Sequence, residues 1–436
     1  MAFFLKGVHV PHRKNTANTT AVKIETPSMV TIPMSMHIGK PAVPTVKVGD
    51  EVKVGSLIAE QDGFISSPIY SSVSGKVKKI SDVLLSNGSK TLAVTIESDG
   101  LMTVDESLTP PIINSRESMI DAIKKSGIVG LGGAGFPTYV KFSVEPEKIE
   151  ELIINSAECE PYITSDTNTM ITRSDDMAYG IELIKKHFNI KKVIIGIESN
   201  KKTAINSMNA LAKADNDITV RILPSVYPQG GEKVLVYHTT GKVIPVGKLP
   251  IDVGCIVCNC TTVAAIGSYA KTGIPLVSKC VTVDGGAIKN PMNVIAPIGT
   301  SISDLINFCG GLTTAPEKIV YGGPMMGITV PDMSAPILKN TNAILALTQK
   351  ELNTADTTAC IRCGSCLNTC PFGINPQGIA SAFERKDFEE IEKLGINLCM
   401  ECGCCSFVCP AHIPLVQKNK LAKLALKEEK AKEVEQ

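Results

Sequence analysis

The chain has 436 residues, with 44 Lys+Arg against 43 Asp+Glu and a formal net charge of +1. This balance leaves no basic field to neutralise a nucleic-acid backbone, so nucleic acid is excluded as a partner class. At roughly 150 residues per domain the length corresponds to about three domains, each able to bury its own core.

Met1 to Lys14 carries a short apolar stretch before His9, Pro11, His12 and Arg13, which reads as neither a signal peptide nor a membrane anchor. No window elsewhere reaches the ~18 uninterrupted apolar residues of a spanning helix. The chain is therefore expected to be soluble and to meet a membrane only by docking. Residues 30 to 97 are rich in Val, Ile, Ser and Gly, with alternating runs at Thr45 to Val48, Glu51 to Val54 and Lys76 to Ile80, and predict a small all-β domain. The phrases Val48-Gly49-Asp50-Glu51-Val52 and Val73-Ser74-Gly75-Lys76-Val77 resemble biotinyl or lipoyl carrier domains, in which a hairpin-tip Lys holds the prosthetic group. Here the hairpin Glu60 to Phe64 has no Lys, so the module is expected to share only the carrier shape.

Pro110 and Pro111 mark a boundary, and a helix is predicted over Glu117 to Ser126 with Ser115 and Ser118 as N-cap candidates. Ile153-Ile154, Val193 to Ile197 and Thr219 to Leu223 predict buried parallel strands, with helices over Met177 to His187 and Lys202 to Ala214. From Pro275 the order changes to a strand at Cys280 to Val283, a Gly285-Gly286 turn, a helix at Ser303 to Phe308 and a strand at Lys318 to Tyr321, which points to a β-grasp module. Asn375 to Leu394 has helical spacing, and residues 416 to 436 read as a solvated or partner-docking Lys/Glu/Ala/Leu helix.

Eight of the 15 Cys fall in one C-terminal pattern, which suits metal thiolates in a reducing compartment such as the cytoplasm. Cys360, Cys363, Cys366 and Cys370 form C-x2-C-x2-C-x3-C before Pro371, and Cys399, Cys402, Cys405 and Cys409 repeat it before Pro410. Three thiolates at this spacing wrap one face of a 4Fe-4S cubane, while the fourth, set back beside a Pro, reaches the other cluster. The expected ligand sets are thus crossed: Cys360, Cys363, Cys366 and Cys409 for one cluster, Cys399, Cys402, Cys405 and Cys370 for the other. Zinc takes two separated pairs around one ion and has no use for this rhythm. Cys404 and His412 are expected to stand beside the clusters rather than ligate them. Cys255, Cys258 and Cys260 sit in an apolar run and read as buried thiols.

Gly130-Leu131-Gly132-Gly133-Ala134-Gly135-Phe136-Pro137 contains G-x-G-x-x-G, but it follows a helix and runs into a Pro, unlike a dinucleotide fingerprint. Its glycines let backbone N–H groups approach a phosphate, with Lys141 in reach to neutralise it; a plain tight turn is the other reading. Asn155-Ser156-Ala157-Glu158-Cys159-Glu160-Pro161 follows a buried strand, where Glu158 and Glu160 are either acceptors for a ribose or nicotinamide or simply solvated charges. Gly230-Gly231-Glu232-Lys233 and Asn259-Cys260-Thr261-Thr262 are two further polar loops of the same kind.

In this order the motifs resemble the flavin- and NADH-binding subunit of respiratory complex I: Gly130 to Lys141 its FMN loop, Asn155 to Pro161 its acidic segment, Gly231-Glu232 its Gly-Glu-Glu loop, and Asn259 to Thr262 its Asn-x-x-Thr flavin contact. The whole layout, including Phe4 to His9, His37-Ile38-Gly39 and Ser67-Pro68-Ile69, is similar to the RnfC family of ferredoxin:NAD oxidoreductase complexes, to about residue 415. The resemblance implies a multidomain α/β chain: an N-terminal all-β barrel-sandwich (biotinyl-like) domain at 1–108, a Rossmann-like FMN-binding domain at 112–268 and a β-grasp, SLBB-like domain at 269–330. A C-terminal α-helical ferredoxin-like domain with two 4Fe-4S clusters at 350–415 and a charged helical tail at 416–436 follow.

It also implies noncovalent FMN contacts from Gly130, Gly132, Gly133, Gly135, Phe136, Lys141, Asn155, Glu158, Glu160, Glu232, Asn259 and Thr262. NAD(H) is the implied substrate, exchanging a hydride with the flavin, which then feeds the clusters singly. No catalytic acid, base or nucleophile is assigned. Ala157 replaces an Asp and Lys233 a Glu of the complex I pattern, so the nicotinamide contacts do not carry over. The implied partners are the other Rnf subunits, integral-membrane ones and a ferredoxin-accepting iron–sulfur subunit among them, at the cytoplasmic face of the cell membrane. The alternatives are a soluble flavin/iron–sulfur reductase such as the cobalamin reductase of microcompartments, and a two-cluster carrier without flavin.

Overall fold

In the computed structural model, residues 5–330, 332–352 and 355–435 are described; Phe4 of the resemblance lies outside them. The N-terminal segment leads to two antiparallel sheets, one ordered Met29–Pro33, Lys90–Ser98, Gly75–Leu84, Glu51–Val52 and the other Val43–Pro44, Leu57–Glu60, Ile69–Tyr70. Alternate residues Val30, Ile32, Val94 and Ile96 point inward with Ile58, Ile69 and Val77 to form its core. Thr45 to Val48, expected as a strand, is not one: Asp50 Oδ2 accepts from Lys47 N at 2.8 Å and Gly49 takes φ +100°, so the chain turns there.

The helix Arg116–Lys125 follows, started by a capping box in which Ser115 accepts from Ser118 N. It flanks a four-stranded parallel sheet ordered Ile218–Leu223, Val193–Glu198, Glu151–Ser156, Cys255–Asn259. Val193–Glu198 is buried throughout, which explains its unbroken apolar reading. Helices Ser174–Phe188, Lys202–Lys213 and Cys260–Thr272 cover the sheet; Ile181, Ile184, Met208 and Val263 share its core.

The β-grasp pattern is present, with the hairpin Ser278–Asp284 and Met292–Pro297, the helix Ile302–Phe308 and the strand Lys318–Tyr321. Its six-stranded sheet also recruits Val22–Lys23 and Ala343–Leu347, pairings too distant in sequence for local pattern to show.

The helix expected over Asn375 to Leu394 is two helices, Pro376–Glu384 and Phe388–Lys393. Lys386 at φ +57° breaks the first, and Asp387 caps the second by accepting from Glu390 N at 3.1 Å. The charged tail forms the helix Leu415–Glu435, and it is no free appendage: Ala422 and Leu426 are buried with Ile379, Ala382 and Ile391. No described helix is long and apolar enough to cross a membrane.

Candidate functional site

Strand Glu151–Ser156 is followed in sequence by neighbours built outward on one side, and Cys255–Asn259 is then added on the other. The carboxyl ends of these two strands therefore flank the switch point of the sheet, where open α/β sheets bind ligands. Asn155 and Asn259 are register partners at that end. Asn155 Nδ2 donates to the Gly230 carbonyl at 2.9 Å, which brings the Gly230-Gly231-Glu232 loop in. Asn259 caps the helix Cys260–Thr272 by accepting from Thr262 N at 3.2 Å, and its Nδ2 donates to Asp166 Oδ2 at 2.7 Å.

The glycine loop lies over this cap. Gly130 N donates to the Phe136 carbonyl at 2.8 Å and Gly135 N to the Gly130 carbonyl at 3.1 Å, closing the loop, while Leu131 N donates to Thr262 Oγ1 at 2.9 Å. A Cβ on Gly132 would stand 2.9 Å from Asn259 Nδ2, so the loop approaches the cap only as glycine. Gly132, Gly133 and Ala134 are exposed, and nothing lies within 4 Å of where a Gly133 Cβ would be. Gly135 is buried and Phe136 half-buried. An open backbone cradle beside the N-terminus of a 13-residue helix fits the phosphate of FMN.

Lys141, expected to be free for a phosphate, instead donates to Glu232 Oε1 at 3.0 Å and to the Val257 carbonyl at 2.9 Å. Burial lowers its pKa, but Glu232 and Cys258 outweigh this and hold it above the ordinary value, so it stays an ammonium. Two candidate residues from distant helices, Thr138–Phe142 and Glu232–Thr240, are thus one ion pair.

The acidic segment differs from either reading of it. Glu158 is 6% exposed, so it is not a solvated charge. Its carboxyl accepts from Asp166 N at 2.8 Å and Thr167 Oγ1 at 2.7 Å, at the start of the helix Ser165–Thr172. Burial raises its pKa against the pull of Lys14 and Lys201. Glu160 accepts from Met325 N at 3.0 Å and Met326 N at 2.8 Å, in the β-grasp module; burial raises its pKa to about 7. Glu158 is thus engaged by one backbone N–H and one hydroxyl, and Glu160 by two backbone N–H groups. Lys14 fixes the same segment from below, donating to the carbonyls of Glu158, Glu160 and Ile163 at 2.9, 2.7 and 2.5 Å. Nothing in the spacing of the sequence singled out Lys14 or Asp166.

Cys370, Cys399, Cys402 and Cys405 line one pocket with Met400 and Cys404, and this set joins one thiol of the first run to three of the second. Burial pushes the Cys405 thiol up to about 12. A cavity walled by four thiols fits a cubane; among the described residues no three His, Cys, Asp or Glu side chains converge as on a single ion. Of the other set, Cys360 and Cys363 are exposed, while Cys366 and Cys409 pack together beside Ala380 and Ala411. Cys404 is buried, its thiol donating to the Tyr227 carbonyl at 3.8 Å. Cys255 lies in one small core with Val257, and Cys258 and Cys260 lie in another, so the three do not form a metal triad.

The pocket of Cys370, Cys399, Cys402 and Cys405 abuts the loop of Tyr227 and Gly231. A Cβ on Gly231 would stand 2.3 Å from Met400 Cε, and the Tyr227 hydroxyl donates to the Cys402 carbonyl at 2.7 Å. Neither Tyr227 nor Met400 carries a sequence signal beyond standing next to a motif.

Four family models match in this order: the RnfC barrel sandwich hybrid domain at residues 2–101, the Nuo51 FMN-binding domain at 123–268, the SLBB domain at 280–329 and a 4Fe-4S dicluster domain at 356–413. The chain is 42% identical over 403 residues to the C subunit of the proton-translocating ferredoxin:NAD(+) oxidoreductase complex of Clostridium ljungdahlii, covering 91% of this chain and 87% of that one. It is 41% identical over 396 residues to the C subunit of the Na(+)-translocating ferredoxin:NAD(+) oxidoreductase complex of Acetobacterium woodii, covering 89% of each. With the C subunit of the ion-translocating oxidoreductase complex of Rhodobacter capsulatus it shares 38% identity over 439 residues, 98% of this chain and 83% of that one.

Proposed function

This chain belongs to the RnfC family, the C subunits of ion-translocating ferredoxin:NAD(+) oxidoreductase complexes, and from that membership we propose that it passes electrons between NAD(H), FMN and two 4Fe-4S clusters. The observation that carries the order of the relay is the contact of Met400 with Gly231: the loop beside the flavin cradle touches the cavity lined by Cys370, Cys399, Cys402 and Cys405. That cluster is the inner one. The cluster of Cys360, Cys363, Cys366 and Cys409, with two exposed ligands, is the outlet to a partner.

Within the site, the backbone of Gly130 to Gly135 and the cap of Cys260–Thr272 hold the phosphate, and the Lys141–Glu232 pair supplies fixed charge beside it. Asn155, Asn259 and Thr262 tie the loops around the flavin to the sheet. Glu158 and Glu160 position the acidic segment and the junction instead of touching the nicotinamide. Bound FMN supplies the conversion between two-electron exchange with NAD(H) and one-electron exchange with the clusters. The chain's own share is to exclude water, hold the cofactors close and set their potentials. The modules occupy 1–108, 112–268, 269–330 and 350–415, with the N-terminal segment and Ala343–Leu347 completing the third. In the assembled complex the chain is peripheral on the cytoplasmic face, held by integral-membrane subunits and exchanging electrons with a ferredoxin-accepting iron–sulfur subunit. A soluble reductase and a flavin-free carrier are set aside by the match to C subunits along nearly the full chain.

The test is anaerobic purification, reconstitution with iron and FMN, and observation of cluster bleaching on adding NADH. Flavin retention with NADH-dependent bleaching is expected; bleaching by dithionite alone would refute the reading.

A further inference from the structure

The Cys402–Gly403 peptide is gripped from both sides by groups outside the cysteine segment. On one side the Tyr227 hydroxyl donates to the Cys402 carbonyl at 2.7 Å. On the other, Gly403 at φ +81° faces the Met325 carbonyl, where a Cβ would stand 2.8 Å from the oxygen. Met325 is held in turn by Glu160, whose Oε1 also lies 3.5 Å from the Tyr227 hydroxyl. Tyr227 is 2% exposed, and its backbone exchanges hydrogen bonds of 2.8 and 2.9 Å with Val8. Nothing about electron transfer as such requires a phenol here: the ring fills space among Val8, Val10, Met325 and Met400 as a Phe would.

We propose that Tyr227 is a positioning residue that sets the reduction potential of the inner cluster, acting through the Cys402–Gly403 peptide. The carbonyl of Cys402 and the N–H of Gly403 are the two ends of one amide. A hydroxyl donating to the carbonyl polarises that amide and makes its N–H a stronger donor. In the chain this N–H directly follows one ligand, Cys402, and precedes another, Cys405, and donors around cluster sulfurs favour the more negative, reduced state. Removing the phenol oxygen therefore weakens the stabilisation of added charge and lowers the potential. The packing of Gly403 on Met325, fixed by Glu160, keeps the amide in the one orientation where the Tyr227 hydroxyl reaches it. The inference rests on the reading of Cys370, Cys399, Cys402 and Cys405 as ligands of one cluster.

The experiment is an anaerobic redox titration of the full, reconstituted chain followed by electron paramagnetic resonance, with dithionite as reductant so that NADH reactivity is not required. Cys409→Ser identifies the outer cluster's signal and Cys370→Ser the inner one's. In Tyr227→Phe both clusters should be present, with the inner cluster's reduction equilibrium lowered about 1.3- to fivefold, the 10–30% by which a polarised neighbour strengthens one charge-assisted hydrogen bond; at about 59 mV per tenfold for one electron, fivefold is about 40 mV. The outer cluster in the same sample should not move. An unmoved inner potential in Tyr227→Phe, an equal shift of both clusters, or loss of the inner cluster with its iron would overturn the proposal. If Cys370→Ser leaves both wild-type signals unchanged, it is the ligand reading that fails.

Discussion

Met400 occupies the space that a side chain on Gly231 would need: a Cβ there would stand 2.3 Å from Met400 Cε and 3.1 Å from its sulfur. Gly231 has φ −64° and ψ 127°, so its backbone would accept alanine; only the flexible end of Met400 stands in the way. Gly231→Ala should therefore turn Met400 aside and cost about 1 kcal/mol of stability. With Met400→Ala also in place the two losses should fall short of their sum by about 1 kcal/mol. Thermal unfolding of the four reconstituted proteins measures this coupling, and strictly additive losses would deny the contact.

Lys141, on the short helix Thr138–Phe142, and Glu232, at the start of the helix Glu232–Thr240, reach each other at 3.0 Å. Lys141→Met removes the cation that holds Glu232 while keeping the chain length, and loosening the loop that leads into Glu232 should weaken FMN binding about tenfold, the worth of one hydrogen bond. Fluorescence titration of the apo-flavin protein with FMN should show that loss, with both clusters still reducible by dithionite. An unchanged affinity would confine Lys141 to holding Glu232.

Glu160 holds its proton to about pH 7 in the folded chain because burial disfavours its charge, against 4.5 for an ordinary glutamate. The folded state thus binds more protons than the unfolded state across that interval. Its contribution to stability is full below about pH 4.5 and lost as pH rises through about 7. Melting temperatures between pH 5 and 8 should fall more steeply for the wild type than for Glu160→Gln, which has nothing to ionise. Parallel curves would show that Glu160 is charged throughout.

Cys370 belongs by sequence to the first run and by position to the second, lining the cavity of Cys399, Cys402 and Cys405. Cys370→Ser should disturb the inner cluster and spare the outer, and Cys409→Ser should do the reverse. Paramagnetic resonance of the two dithionite-reduced variants decides it, and the opposite assignment would mean uncrossed runs.

The parts legible in the sequence are those fixed by short-range chemistry. The cysteine rhythm, the Ser115 cap and the uncharged, Ile-rich run of Val193 to Ile197 each depend on neighbours a few residues away. What could not be read depends on pairings across the chain. Glu158 and Glu160 look alike in sequence, yet one meets a helix start eight residues on and the other a β-grasp loop 165 residues away. Val22–Lys23 joins Met292–Pro297 through a register that no local period encodes. Lys14, Tyr227 and Met400 are ordinary residues made important by the docking of modules, so their roles became visible only with the junction itself.

The central claim is the order of the relay, from NADH through the flavin to the inner and then the outer cluster. Anaerobic stopped-flow mixing of the reconstituted chain with NADH tests it, comparing the wild type with Cys370→Ser and Cys360→Ser. Flavin bleaching should precede cluster bleaching in the wild type; Cys370→Ser should stop after the flavin, and Cys360→Ser should still reduce the inner cluster. Fast reduction of the outer cluster in Cys370→Ser would contradict the account.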